Sequence, residues 1–232
     1  MKAVNRFIKN LEKKEVNKMK KNILWTLIAL LLVITPISLC FAANPTIVQI
    51  TASIPLATGG LNAEVSKIVV NDPVDPADDD WSPATTLNFG TLQFDDVDFV
   101  FRPADPAFYF AIDLGVIDNS GNPWTLTHTR TSVRNTAGTA NLDDNINVSF
   151  VKQLDDVTAT DLLKVSYNNS NSRVITKAQL TGGWLRIYYG LGTGNTDHPE
   201  LGTIDNPGVL PITLDKPAGT YSGQVTITLA SS

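Results

Sequence analysis

Few side chains in this chain have the type and spacing that catalysis needs. The chain has two histidines and one cysteine, and no serine lies in the glycine-flanked turn that activates a nucleophile. His128 lies in the threonine-rich run Trp124–Thr131, which predicts a surface position. Acid–base catalysis requires two groups that face each other across a cleft, and adjacency in sequence does not provide that. We therefore predict a non-enzymatic protein with no catalytic residue and no cofactor, although paired carboxylates occur at Asp95-Asp96, Asp143-Asp144 and Asp155-Asp156.

Two acidic segments could bind a cation. The first carries five carboxylates between Asp72 and Asp80, and calcium takes six to eight oxygen ligands from such groups. Its spacing does not match an EF-hand loop, and Pro73 and Pro76 favour an extended, solvated loop. The second segment combines Asp197, His198 and Glu200 in a predicted loop. We expect both segments to be solvated loops and assign no metal ligand.

One predicted strand carries an aromatic and basic stripe. Trp184, Arg186 and Tyr188 alternate with Leu185, Ile187 and Tyr189, so the two sets face opposite sides of the strand. The second set is predicted to face the core. The stripe could then stack on a sugar ring or on a partner protein. The alternative, which we favour, is that a loop or a sheet edge covers it.

The residues that precede these segments indicate export. Lys20 and Lys21 come before an apolar run over Ile23–Leu39, and Cys40-Phe41-Ala42 has the small-x-small form of a cleavage site. A basic start, an apolar helix and such an end are typical of a secretory signal peptide. We predict that residues 1–42 are this peptide, with cleavage after Ala42.

Three features of the predicted signal peptide have alternatives: its cleavage, its lipidation and the residue at which translation starts. An uncleaved anchor is the alternative, since a spanning helix needs about 20 apolar residues, but Pro36 favours removal. Bulky Leu39 before Cys40 argues against a lipoprotein. The basic stretch before Met19 is an extended n-region, or Met19 is the true start.

The charge of the remaining chain limits its partners. Residues 43–232 have 10 basic and 21 acidic side chains, a net charge of −11. Such a surface repels nucleic-acid phosphates and anionic lipid headgroups. We predict a cysteine-free, extracellular or cell-surface protein that contacts neither nucleic acid nor, after cleavage, the membrane.

Strands dominate the pattern after residue 43. Alternating apolar residues predict strands over Val48–Ile54 and Phe108–Leu114, and four threonines on one face predict an exposed strand over Trp124–Thr131. Asn119–Pro123 and Asp205–Gly208 are turn signals. Only Asp155–Val165 is predicted to hold a helical turn or two. With no repeat and no linker, we predict one domain, a single antiparallel, Ig-like or fimbrial-like β-sandwich over residues 43–232. Further strands are predicted at 61–70, 85–94, 97–101, 145–151, 173–180, 183–190, 209–214 and 220–230.

The C-terminal strand carries a resemblance. Pro217-Ala-Gly-Thr-Tyr-Ser-Gly223 followed by Val225-Thr-Ile-Thr-Leu229 resembles the last strand of bacterial fimbrial-type β-sandwiches, such as spore coat protein U-like and WxL-type domains. Leu87-Asn-Phe-Gly-Thr-Leu92 is similar to a segment of such secreted proteins.

The resemblance implies a bacterial structural or adhesive role, as a coat or pilus-like subunit. It also implies assembly by strand addition, in which a strand of one subunit completes a sheet of another subunit or of another surface protein. Pro45–Ile54 is the candidate donor strand, although both terminal strands are expected to pair within their own domain. The alternative is a carbohydrate-binding module that uses Trp184 and Tyr188, with calcium as a possible stabiliser.

Overall fold

The computed structural model describes residues 47–53, 60–71, 79–103, 108–116, 121–155, 158–192 and 205–231. The predicted signal peptide, Cys40 and the segment with Asp197, His198 and Glu200 lie outside these residues. No helix in the described ranges is long and apolar enough to cross a membrane.

The protein is all-β, and the strand pairs of its described residues are antiparallel with one exception. The helical residues among those described are two 3₁₀ turns, Asp143–Asn145 and Tyr167–Ser170. The strands are β1 (Ile47–Ser53), β2 (Leu61–Val69), β3 (Asp80–Pro83), β4 (Leu87–Gly90), β5 (Leu92–Asp95), β6 (Val100–Pro103), β7 (Phe108–Val116), β8 (Trp124–Arg130), β9 (Arg134–Asn135), β10 (Ile146–Gln153), β11 (Ala159–Ser166), β12 (Arg173–Thr176), β13 (Trp184–Leu191) and β14 (Thr220–Ser231).

Two six-stranded sheets contain all but two of these strands. Sheet 1 has the order β12-β8-β14-β1-β4, and β9 also pairs with β14. Sheet 2 has the order β11-β10-β13-β7-β2-β3, and β5 pairs with β6 as a separate hairpin. The exception to antiparallel pairing is β1 with β14, which run parallel.

Both sheets contribute to one hydrophobic core. The rings of Phe89 in sheet 1 and Phe110 in sheet 2 meet edge to face, with their centroids 5.2 Å apart. Period-two alternation puts these side chains on one face of each strand, where burial stabilises the pairing. The buried members include Leu87, Phe89, Leu126, Ile175, Tyr221, Val225 and Ile227 of sheet 1 and Phe110, Ile112, Leu114, Val148, Phe150, Ile187 and Tyr189 of sheet 2.

Several predicted strands are shorter than their patterns indicate. The predicted strand 85–94 is divided at Gly90, whose φ of +67° is a conformation that glycine adopts without strain. The predicted strand 97–101 is mostly a turn, because the Asp95 carboxylate accepts the backbone N–H groups of Val97 and Asp98. The predicted strand 209–214 is reduced to one bridge, Phe101 with Ile212.

The predicted helical turn over Asp155–Val165 is wrong. Its described residues from Ala159 onward form β11, which pairs with β10. Phe150 pairs with Leu163 and Val151 pairs with Asp161, so Leu162 is the extra residue of a β-bulge. The bulge lets two consecutive leucines be partly buried, and that produced the helix-like sequence pattern.

Candidate functional site

Strand β13 presents the stripe that the sequence singled out. Leu185, Ile187 and Tyr189 are buried in the shared core, as predicted. Trp184, Arg186 and Tyr188 therefore face the other side of sheet 2. Trp184 is half-buried, but Arg186 is 9% and Tyr188 is 4% exposed, so two members of the stripe are covered.

Arg186 is the polar centre of this face. It lies opposite Asp113 of β7 in the sheet register, and its Nε and Nη2 donate to the two Asp113 carboxylate oxygens at 2.6 and 2.7 Å. Burial disfavours the charged guanidinium, but the hydrogen bonds and charge interactions with Asp113 and Tyr188 together outweigh it, and the pKa of Arg186 is raised above its ordinary value. Arg186 is therefore a permanently charged group held by a two-bond ion pair.

An aromatic side chain from the sheet edge lies over Arg186. The guanidinium carbon is 4.6 Å from the centroid of the Trp81 ring, a cation–π contact. Trp81 belongs to β3, a strand that the sequence pattern did not predict, and is 42% exposed. Tyr188 instead packs into a second buried cluster with Ile68, Val70, Tyr109, Ala111 and Val151. Among the aromatic residues discussed on this face, the accessible ones are thus Trp81 and, in part, Trp184, and not Tyr188.

The ends of the first acidic segment are tied to this face. The Asp79 carboxylate is buried and accepts the Tyr109 O–H at 3.1 Å and the backbone N–H of Asn71 at 3.1 Å. Residues 72–78 lie outside the described part of the chain. Within the described residues, no three His, Cys, Asp or Glu side chains are grouped so that they could hold a metal ion.

The prediction that His128 is a surface side chain is wrong. His128 shares its parity with Leu126, and both are buried on the core side of β8. Its Nδ1 donates to the Ser170 carbonyl at 2.9 Å, so its Nε2 accepts the Tyr189 O–H at 2.8 Å. Burial lowers the pKa of His128 to about 4, which keeps the ring neutral at pH 7. A histidine with both nitrogens bonded inside the core serves packing and is not placed to meet a substrate.

The two terminal strands that the sequence singled out are neighbours. Strand β1 pairs with β14 in a parallel register that runs from Ile47 with Thr220 to Ser53 with Thr226. On its other side β1 pairs with β4, through Val48, Gln49 and Ile50. The described donor-strand candidate therefore lies inside sheet 1 of its own chain.

The exposed sheet edges are poor sites for adding another strand. Sheet 1 ends in β4 and β12, which have four residues each, and sheet 2 ends in β3, which is equally short and closes with Pro83. The fourth edge, β11, carries a bulge and an ion pair between Asp161 and Lys164. Short strands, proline, bulges and charges all hinder edge-to-edge pairing.

No protein-family model matches this chain, and no curated protein and no solved structure is significantly similar to it.

Proposed function

We propose that this chain is an exported, non-enzymatic structural or adhesive protein of a bacterial surface, built as one β-sandwich over residues 43–232. The shared core supports the sandwich, because sheet 1 and sheet 2 both bury a face in it. The bond from Tyr189 to His128 joins the two sheets as well, since these residues belong to β13 and β8.

The proposed export rests on the signal-like residues 1–42, with cleavage after Ala42. The net charge of −11 on residues 43–232 supports a soluble extracellular surface. The likeness of the last strand to spore coat protein U-like and WxL-type domains remains a prediction.

We propose further that subunits assemble by exchange of β1. One observation carries this: β1 is held between β14 and β4 by strand pairing. After the proposed cleavage at Ala42, β1 would be joined to the other strands only by the segment that follows Ser53. Seven residues separate Ser53 in sheet 1 from Leu61 in sheet 2, and fully extended they span about 26 Å. That reach allows β1 of one subunit to occupy the same place in a neighbour.

Exchange of β1 between subunits costs little free energy because β1 makes the same contacts in either subunit. The backbone pairs of β1 are the same whether β14 belongs to its own chain or to another, which is the basis of domain swapping. The short and charged edges described above leave the β1 position as the better route for β-augmentation.

A cysteine pair across β1 and β14 tests the exchange. We expect a Gln49→Cys/Ser222→Cys variant in a Cys40→Ser background to give a ladder of disulfide-linked multimers on non-reducing gels, because these positions pair in the register. Oxidation of concentrated protein, followed by size analysis, is the measurement. Each single-cysteine variant should give dimers at most.

A pair within one hairpin is the matched control. Lys152 and Thr160 pair between β10 and β11, whose connection is too short for exchange, so Lys152→Cys/Thr160→Cys should give monomers only. If the β1–β14 pair also gives only monomers at every concentration, assembly by β1 exchange is wrong.

A further inference from the structure

We propose that the outer face of sheet 2 binds a neutral or amino-sugar glycan, with Trp81 as the stacking platform and Glu64 and Asp113 as hydroxyl acceptors. The inference deepens the adhesive part of the proposed function by naming a ligand class and a site. It does not depend on β1 exchange. It replaces the sequence hypothesis that Trp184 and Tyr188 form the stacking surface.

The first support is the way in which Trp81 is held. The Arg186 guanidinium lies over the indole ring, and Trp81 is nevertheless 42% exposed. Arg186 is fixed by both Asp113 oxygens, and Tyr109 and Tyr188 pack edge to face in the buried cluster nearby, with their centroids 5.8 Å apart. The ring is thus held by a fixed cation and remains accessible to solvent. An aromatic face supported in this way can pack on the C–H face of a pyranose ring.

The second support is a row of polar side chains on the same face. Glu64 of β2, Asp113 of β7 and Arg186 of β13 lie side by side in the sheet register. Glu64 is exposed, and the Asp113 side chain is 26% exposed while it bonds Arg186. A carboxylate oxygen has a second lone pair, so both groups can accept sugar hydroxyls.

The charge of this face selects the class of glycan. Glu64 and Asp113 contribute two carboxylates to this row, and its cation, Arg186, is paired with Asp113, so the row has a net negative charge. An acidic saccharide would be repelled, whereas neutral hydroxyls or a protonated amino sugar would be accepted. The site therefore favours uncharged or amino sugars with an exposed C–H face.

Calorimetric titration of the purified protein tests the site. The probes are cellohexaose and deacetylated chitohexaose, with oligogalacturonate as the anionic comparison, at protein concentrations at which it is monomeric. We expect binding of one of the first two and none of the third. Trp81→Ala should weaken that binding at least tenfold, and Trp81→Phe should weaken it less, since a ring is kept.

Two further variants separate binding from folding. Trp184→Ala removes a half-buried tryptophan of the same face and should leave the affinity unchanged within twofold. Glu64→Gln alters only an exposed group and should weaken binding several-fold with an unchanged melting temperature. Absence of binding to both uncharged and amino sugars at millimolar concentration, or equal affinity of the wild type and Trp81→Ala, would overturn the proposal. Either result leaves the cysteine-pair test of β1 exchange unaffected.

Discussion

Replacing Asp143 with alanine should lower the free energy of unfolding by about 3 kcal/mol or more, because it leaves the buried positive charge of Arg130 without its counter-charge. Arg130 Nη1 donates to Asp143 at 2.8 Å, and the two side chains are only 10% and 9% exposed. The other Asp143 oxygen accepts the backbone N–H of Val133 at 2.7 Å, and alanine leaves that group unpaired too. Arg130 keeps its bonds to Asn168, so it stays in place without its counter-charge. Urea unfolding at pH 7 measures the loss.

The exposed ion pair of the β5–β6 hairpin is the matched control. Asp98 pairs with Arg102, but their side chains are 45% and 26% exposed. Asp98→Ala should therefore cost less than about 1 kcal/mol, as solvent-exposed pairs generally do. Equal losses in Asp143→Ala and Asp98→Ala would contradict the claim that burial makes the Arg130–Asp143 pair important for stability.

Acid should destabilise the fold through His128. Its pKa is about 4 in the folded protein and about 6.5 when exposed, so between these pH values the unfolded chain binds a proton that the folded chain does not. Stability contributed by neutral His128 is complete above pH 6.5 and is lost as the pH falls to 4. The difference between the two pKa values lowers the free energy of unfolding by roughly 3 kcal/mol as the pH falls from 6.5 to 4. Urea unfolding at pH 7, 5.5 and 4.5 measures it.

A comparison of variants isolates His128 from the carboxylates that titrate in the same window. His128→Gln keeps a polar side chain without a titrating group, so its stability should change with pH by much less than that of the wild type. His198→Gln removes the other histidine of the chain and should keep the wild-type pH dependence. If the free energy of unfolding depends on pH equally in the wild type and in His128→Gln, the loss of stability in acid does not come from His128.

Strands that bury one complete face could be predicted from sequence. In β14, Tyr221, Val225 and Ile227 are buried while Ser222 and Gln224 are exposed, as their alternation indicates. The hydrophobic effect imposes this period directly on the sequence. His128 illustrates the limit of residue type as a guide, because its parity with Leu126 indicated burial and its polarity suggested the opposite.

The candidate glycan site could not be predicted, because it depends on distant pairing. Strand β3 is exposed at all four residues and shows no alternation, so only its pairing with β2 makes it a strand. No local sequence pattern indicates that Trp81 contacts Arg186, which is more than 100 residues away in sequence. The pairing of β1 with β14 is non-local as well, and sequence could identify both strands but not their adjacency.

The position of β1 has a mechanical consequence. Its backbone hydrogen bonds to β14 and β4 run across the strand axis. In a filament joined through β1, tension along the chain would pull the strand lengthwise and load these bonds together in shear, whereas a peeling force would break them one after another. Such a joint would hold under sustained flow without any covalent link between subunits.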